Sequence, residues 1–529
     1  MLFFSEREII MKNSTKIIAS ILAMMLLLSS CSIGTSTRDK KKTKKHRKTE
    51  KTEETTKETE ETEETEETEE TEETTEPTET KPVASDEFSV EALEALDGVT
   101  RVEEIDNIGP DEFNLLVYIE QPLDWEDPSA GTFEQRVQVC YNNADVNEFY
   151  VNGYMLTDDY LSYGTWIDLY AGSHDVNFVS IEFRFFGESK PDGLDNTKPE
   201  YWNYLTSYNA SCDIHHIFEE LKQVMPGKWI MTGGSKGGMT TMIQSMNFPE
   251  DADVYMPQVA PFSDGPQCED FFDNIYETIG DERYGKEQAA EYRQLVLDFQ
   301  VEAIKNRDEL QQKYYDYGIE GGAEFLDFTT PEILYDMAVL EFATAMWQYS
   351  QSFSSIQKVL DEKGEDKYLD DMLNLLIYAN EPDTWSCSTE FFPYYIQGMM
   401  ELGEHEYDFS YLREALEKDG SGAKLVITED MEDMLLYKMT LAPEVYDSIK
   451  YDSSVRDSII EWSKTTDCTV IMLYGGADVW YQPRIPDVPD RDNFHTYVDE
   501  DSSHTDIYSM IDPDIREEID GYIDAALES

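Results

Sequence analysis

Cysteine and histidine are scarce: this 529-residue sequence has six of the first and seven of the second. After Cys31 the cysteines are Cys140, Cys212, Cys268, Cys387 and Cys468, an odd set that cannot all pair. None stands in a C-x-x-C or Cys/His spacing, so neither a disulfide framework nor a zinc site is expected. Basic residues are also few, 41 Lys and Arg against 112 Asp and Glu, for a formal net charge of −71. Such a surface repels phosphate backbones, which argues against a nucleic-acid partner. The sequence carries no cofactor motif, and no metal is expected.

One apolar run stands near the start. Ile17 to Leu28 follows Lys12 and Lys16 and is too short for an ordinary spanning helix. It ends in Leu28-Ser29-Ser30-Cys31, which resembles a bacterial lipobox. Residues 1–30 are therefore expected to be a lipoprotein signal peptide, with Cys31 lipidated and the chain held on the extracellular face of the membrane. A basic block, Arg38 to Lys48, and Thr/Glu repeats to about Lys81 follow. With too few apolar residues to fold and repelling charges in the second part, residues 31–87 read as an extended stalk. Lysines beside an anionic membrane favour attachment there.

From about Phe88 the composition becomes globular. Phe113 to Ile119, Phe133 to Val139 and Val176 to Phe186 read as strands, the second by alternation of Phe133, Gln135, Val137 and Val139. Ile214, Ile217, Phe218, Leu221, Val224 and Met225 recur at helical spacing. Trp229 to Thr232, Val254 to Ala260, Thr469 to Tyr474 and Phe494 to Val498 continue the strands, and a last helix follows Asp512. This alternation predicts an α/β fold with a mostly parallel sheet covered on both faces. Residues 263–457 are mostly helical, one helix opening at Thr330-Pro331. They read as a lid inserted between late strands of a core made of 88–262 and 458–529.

The chemistry starts at Gly233-Gly234-Ser235-Lys236-Gly237, a G-x-S-x-G between a predicted strand and a predicted helix. That context makes a nucleophile elbow, in which flanking glycines let the serine stand clear of the sheet. It lacks the longer loop and Ser/Thr of a phosphate-binding loop. An α/β-hydrolase fold places the triad in the order Ser, acid, His. Of the histidines after Ser235, His405 lies in the insertion and His495 inside a predicted strand. His504 alone falls in a loop beyond a strand end, where catalytic groups of such sheets lie. Asp478 follows Ile471 to Tyr474 and the turn Gly475-Gly476-Ala477, and is the expected acid; Asp487 and Asp490 are alternatives. The oxyanion hole is expected to join the N–H of Lys236 to one from the Phe186-Gly187 region. His215 and His216 point to different faces of one helix and read as solvent-facing.

Val179 to Phe186, Thr232 to Thr240 and Tyr474 to Trp480 resemble the bacterial prolyl tri/tetrapeptidyl aminopeptidases, serine peptidase family thirty-seven. Gln121 to Trp125 with Gly131 to Phe133 resembles the opening strands of that family. Trp347-Gln348-Tyr349 and Glu401-Leu402-Gly403 look like its lid, so the likeness runs from Phe113 to the C-terminus. Phe183, Val479 and Thr505 depart from the usual histidine, proline and glycine. The resemblance implies release of tri- and tetrapeptides from free N-termini, with proline favoured before the cut and Ser235, Asp478 and His504 as triad. Peptides are then the expected partners, with Glu341 or Glu401 binding the substrate ammonium and Trp347 lining an apolar pocket. An esterase or other acyl hydrolase on the same scaffold, and a silent surface-binding lipoprotein, are the competing readings.

Overall fold

The computed structural model describes residues 88–528 apart from 106–112, 158–160, 162–168, 194–196, 264 and 350–351. The expected signal peptide, Cys31 and stalk lie outside the described residues.

Strands β1 (Val99–Glu104), β2 (Phe113–Pro122), β3 (Thr132–Tyr141), β4 (Val146–Val151), β5 (Asn177–Ile181), β6 (Lys228–Gly234) and β7 (Val254–Gln258) build most of the sheet. A short parallel pair, β8 (Gln267–Cys268) and β9 (Glu404–His405), lies apart from it. The final two, β10 (Thr469–Gly475) and β11 (Phe494–Asp499), complete a nine-stranded sheet of order β1-β2-β3-β5-β4-β6-β7-β10-β11. Pairing is antiparallel from β1 through β3 to β5 and parallel from β5 to β11. Parallel strands are buried on both faces and carry apolar runs, as Trp229 to Met231 and Val470 to Tyr474 do.

Among the strands of the sheet, β1 has no counterpart in the sequence reading, and β3 and β4 differ from it. β3 alternates in sequence, yet Gln135, Arg136 and Gln138 are buried as well as its apolar residues. Each polar group has a partner: Gln135 accepts from Gln121 and donates to the Glu182 carbonyl, and Arg136 pairs with the Glu182 carboxylate. β4 is absent from the sequence reading because Asn147 and Glu148 interrupt its apolar character, although both are fully buried.

Helix α1 (Ser207–Leu221) is capped by Thr206, whose hydroxyl accepts from Asn209 N–H. Its Ile214, Ile217, Phe218 and Leu221 cover one sheet face beside α2 (Lys236–Asn247). Between β7 and β10 runs the helical lid, whose central helix α3 (Pro331–Gln348) is buried from Leu334 to Trp347. A helix apolar all round belongs inside a core, and each fully buried side chain such as Leu340 or Phe342 stabilises it by roughly 1.5–3 kcal/mol. The predicted lid boundary at 457 falls inside α4 (Ser454–Thr465), whose Ile459 packs with the sheet. On the opposite sheet face, α5 (Pro513–Leu527) lays Ile519 and Ile523 against Ile230, Val254 and Ile471.

Candidate active site

The end of β6 turns sharply into α2. Ser235, the residue between them, has φ 55° and ψ −121°, a conformation that costs a non-glycine residue about 1–3 kcal/mol. The glycines make it possible: a Cβ on Gly233 would strike the Gly237 backbone, and one on Gly237 would strike the Val151 carbonyl. Ser235 N–H donates to Gln258 O at 3.0 Å, which fixes the elbow to β7.

Asp478 lies just past β10 and is buried. Its Oδ2 stands 2.7 Å from His504 Nδ1, and its Oδ1 accepts from Trp480 N–H at 2.8 Å. A carboxylate can only accept, so the imidazole proton sits on Nδ1 and Nε2 is left as the base. His504 follows β11 in a loop held to the elbow's neighbour. Tyr508 N–H donates to Gln258 Oε1 at 2.9 Å, while Gln258 Nε2 donates to Thr232 Oγ1 at 2.8 Å. Gln258 thus grips the serine turn through its carbonyl and the histidine loop through its side chain. Sequence reasoning passed over it because a buried glutamine at a strand end carries no motif. The serine, acid and base all stand beyond the carboxyl ends of parallel strands β6, β10 and β11.

His495 stands apart from this arrangement: its Nδ1 is 2.8 Å from Asp490 and its ring stacks on Tyr522. His215 and His216 are half-buried rather than solvent-facing, each with a partner 2.8 Å away, Asp251 and Gln121 respectively.

Phe186 and Gly187, expected at the oxyanion hole, stand in a turn packed on the Glu182 carboxylate. Phe186 N–H already donates to Phe183 O at 3.1 Å. The turn it belongs to wraps the Glu182 carboxylate, which accepts from the N–H groups of Glu188 and Ser189 and from the Ser189 hydroxyl, each at 2.8 Å. Because β4 enters the sheet between β5 and β6, the loop beside the elbow is the one after β4. There Gly153 packs directly on Lys236 and Gly237. The Lys236 side chain is fully buried, and burial pushes its pKa well down.

The lid brings a charged cluster close to the histidine. Glu341, on α3, places Oε1 2.8 Å from His405 Nε2, and Glu404 Oε1 lies 3.1 Å from His405 Nδ1. Burial disfavours the imidazolium, but Glu341 and Glu404 outweigh it and raise the His405 pKa to about 9. The His405 ring lies 4.3 Å from Phe271 and 5.2 Å from Trp480, whose own ring is 6.2 Å from His504. Glu341 keeps 11% of its side chain exposed.

Glu401 does not join this cluster through any such contact; its Oε2 accepts from Ser207 N–H at 2.7 Å, at the start of α1. Trp347 is buried among Tyr284 and Phe353 and against Gly280. Its neighbour Gln348 accepts from Trp480 Nε1–H at 3.0 Å, joining lid to acid loop.

Sheet order, strained serine elbow and acid–base pair define a serine hydrolase of the α/β-hydrolase fold. The family model of PS-10 peptidase S37 matches residues 81–422. The chain belongs to that family of serine peptidases. It is 26% identical over 372 residues to a prolyl tri/tetrapeptidyl aminopeptidase of Streptomyces mobaraensis, covering 69% of each chain. Likeness to solved structures is looser. An acetylester hydrolase from Corynebacterium glutamicum is 12% identical with a TM-score of 0.35, over 79% of this chain and 96% of that one. An α/β fold family hydrolase from Bacillus anthracis str. Sterne is 12% identical with a TM-score of 0.31, over 78% and 99%.

Proposed function

We propose that this protein is a lipid-anchored extracellular exopeptidase that releases tri- and tetrapeptides from free N-termini, favouring proline before the cut. In this reading His504 Nε2 takes the proton of Ser235 as Oγ attacks the scissile carbonyl. Asp478 holds the tautomer and stabilises the imidazolium that forms. The Lys236 N–H and an amide of the Gly153 loop receive the developing oxyanion. His504 then protonates the leaving amine, and water releases the peptide from the acyl-enzyme. Anchoring rests on the lipobox-like run ending at Cys31, and the peptide length and proline preference on the likeness to the Streptomyces mobaraensis enzyme.

The observation that carries the exopeptidase reading is the Glu341–His405–Glu404 cluster. Two carboxylates share one imidazolium and so keep a net negative charge, and Trp480 contacts both that imidazolium and His504. A tripeptide reaches roughly 10 Å from amine to scissile bond, at ~3.3–3.6 Å per residue. Trp480 links the cluster to His504 through ring contacts of 5.2 and 6.2 Å. An ammonium seated against the exposed edge of Glu341 would then set the cut. The test compares a tripeptide substrate ending in proline with its N-acetylated form. Loss of the charge should lower kcat/KM at least tenfold, about 1.4 kcal/mol. Equal cleavage would refute ammonium recognition and favour an esterase or endopeptidase instead.

A further inference from the structure

Lys236 adjoins the nucleophile, yet nothing in the reaction above uses its side chain. It is wholly buried, and among the described residues its Nζ has no hydrogen-bond partner. Its head lies 3.0 Å from the centroid of the Phe183 ring and 5.5 Å from that of Phe186. An aromatic face attracts a cation, but it does not replace the water an ammonium gives up on burial. Burial therefore pushes the amine toward its neutral form.

The stem does more than the head. A Cβ added to Gly153 would stand 3.0 Å from Lys236 Cβ, 3.1 Å from its Cγ and 2.9 Å from Gly237 N. The loop after β4 therefore rests on the first methylenes of Lys236 with no room for even one extra carbon. The same loop is tied to the turn beneath the amine, because Phe183 N–H donates to Tyr154 O at 2.9 Å. Tyr154 in turn meets the lid rings of Phe391 and Tyr394, at 5.4 and 5.9 Å. Lys236 thus fills the space between the serine helix, the Gly153 loop and the Phe183 turn.

We propose that Lys236 is a positioning residue that works through its hydrocarbon stem rather than its charge, holding the Gly153 loop where one of its amides can meet the oxyanion formed at Ser235. The proposal rests on the serine mechanism given above. The assay is the second-order rate at which a fluorophosphonate labels the full-length protein, together with kcat and KM on one peptide substrate. Labelling of the unaltered protein, abolished in Ser235→Ala, tests the mechanism separately from Lys236. Lys236→Ala should slow labelling and kcat at least tenfold while KM stays within about threefold, since the loop relaxes but substrate contacts remain. Lys236→Met, which keeps the stem and removes the ionisable head, should recover most of that loss. Gly153→Ala should reproduce the Lys236→Ala defect by crowding the same contact. Folded Lys236→Met as slow as Lys236→Ala, or Lys236→Ala labelled at the unaltered rate, would overturn the proposal. If Lys236→Ala does not fold, Lys236→Met decides: labelling at a tenth of the unaltered rate or more supports the stem, and slower labelling refutes it.

Discussion

Glu148 offers a stability test whose sign runs opposite to that of most carboxylates. It lies in the middle of β4, fully buried, with Oε2 accepting from Ala171 N–H at 2.6 Å. Its Oε1 has no partner among the described residues. Burial raises its pKa to about 8, against the smaller pull of the Ala171 and Tyr170 amides. The folded chain thus keeps a proton that the unfolded chain releases near pH 4.5. Its contribution is therefore complete below about pH 4.5 and drains away as pH rises to about 8. At about 1.4 kcal/mol per pH unit, the loss reaches roughly 3 kcal/mol at pH 7 and roughly 4 kcal/mol at pH 8. Glu148→Gln mimics the protonated acid: the amide oxygen still accepts from Ala171 and nothing ionises. Urea unfolding of both proteins, followed by circular dichroism at pH 5, 6, 7 and 8, gives the comparison. Subtraction removes other buried acids with raised pKa, such as Asp213, Asp251 and Asp336. The two should differ by about 1 kcal/mol or less at pH 5, with the variant gaining steadily above that. A difference independent of pH, or a variant less stable at pH 8, would refute an acid held neutral in this strand.

Three further outcomes are expected. Ser235→Ala and His504→Ala should lower kcat to the ~10³–10⁴-fold residual over water that remains without a triad member, while His495→Ala, whose ring stacks on Tyr522, should keep most of its turnover. Steady-state kinetics on folded variants decides, and activity lost in His495→Ala but kept in His504→Ala would reverse the assignment. Glu341→Gln should raise KM for free peptides and leave N-acetylated ones unaffected, whereas Glu401→Gln should act through stability, because its carboxylate serves Ser207 N–H. A selective KM effect in Glu401→Gln, absent from Glu341→Gln, would move the ammonium site. Cys31→Ser should shift the protein from the membrane to the soluble fraction on cell fractionation; unchanged retention after signal cleavage would point to another anchor.

What could be read from the sequence follows physical necessity. Gly233 and Gly237 are required because neighbouring backbone leaves no space for a side chain, so the elbow is visible as a motif. Asp478 and His504 were chosen by chain order, since the sheet fixes which strand ends precede them, and the structure brings the two within 2.7 Å of each other. β4 was invisible because its centre, Asn147 and Glu148, looks like a loop. Only the fold supplies their partners, Asn177 Nδ2 to Asn147 Oδ1 at 2.8 Å and Ala171 N–H to Glu148. Without that strand, the loop after β5, at Phe186 and Gly187, was the one expected beside the elbow. His405 was set aside as a residue of the insertion, and its partner Glu341 lies 64 positions away, a distance no local pattern bridges.

The Trp480 indole has a further consequence. Its own N–H is bound to Gln348 at the end of the buried lid helix, while its backbone N–H is bound to the carboxylate of Asp478. Lid helix and acid loop are therefore one mechanical piece. A lid transplanted from another hydrolase would have to present an acceptor at the place of Gln348, or it would unfasten the aspartate it was meant to shelter. Damage to such a graft would surface first as slow chemistry, with substrate still bound, and be mistaken for a fault in the triad.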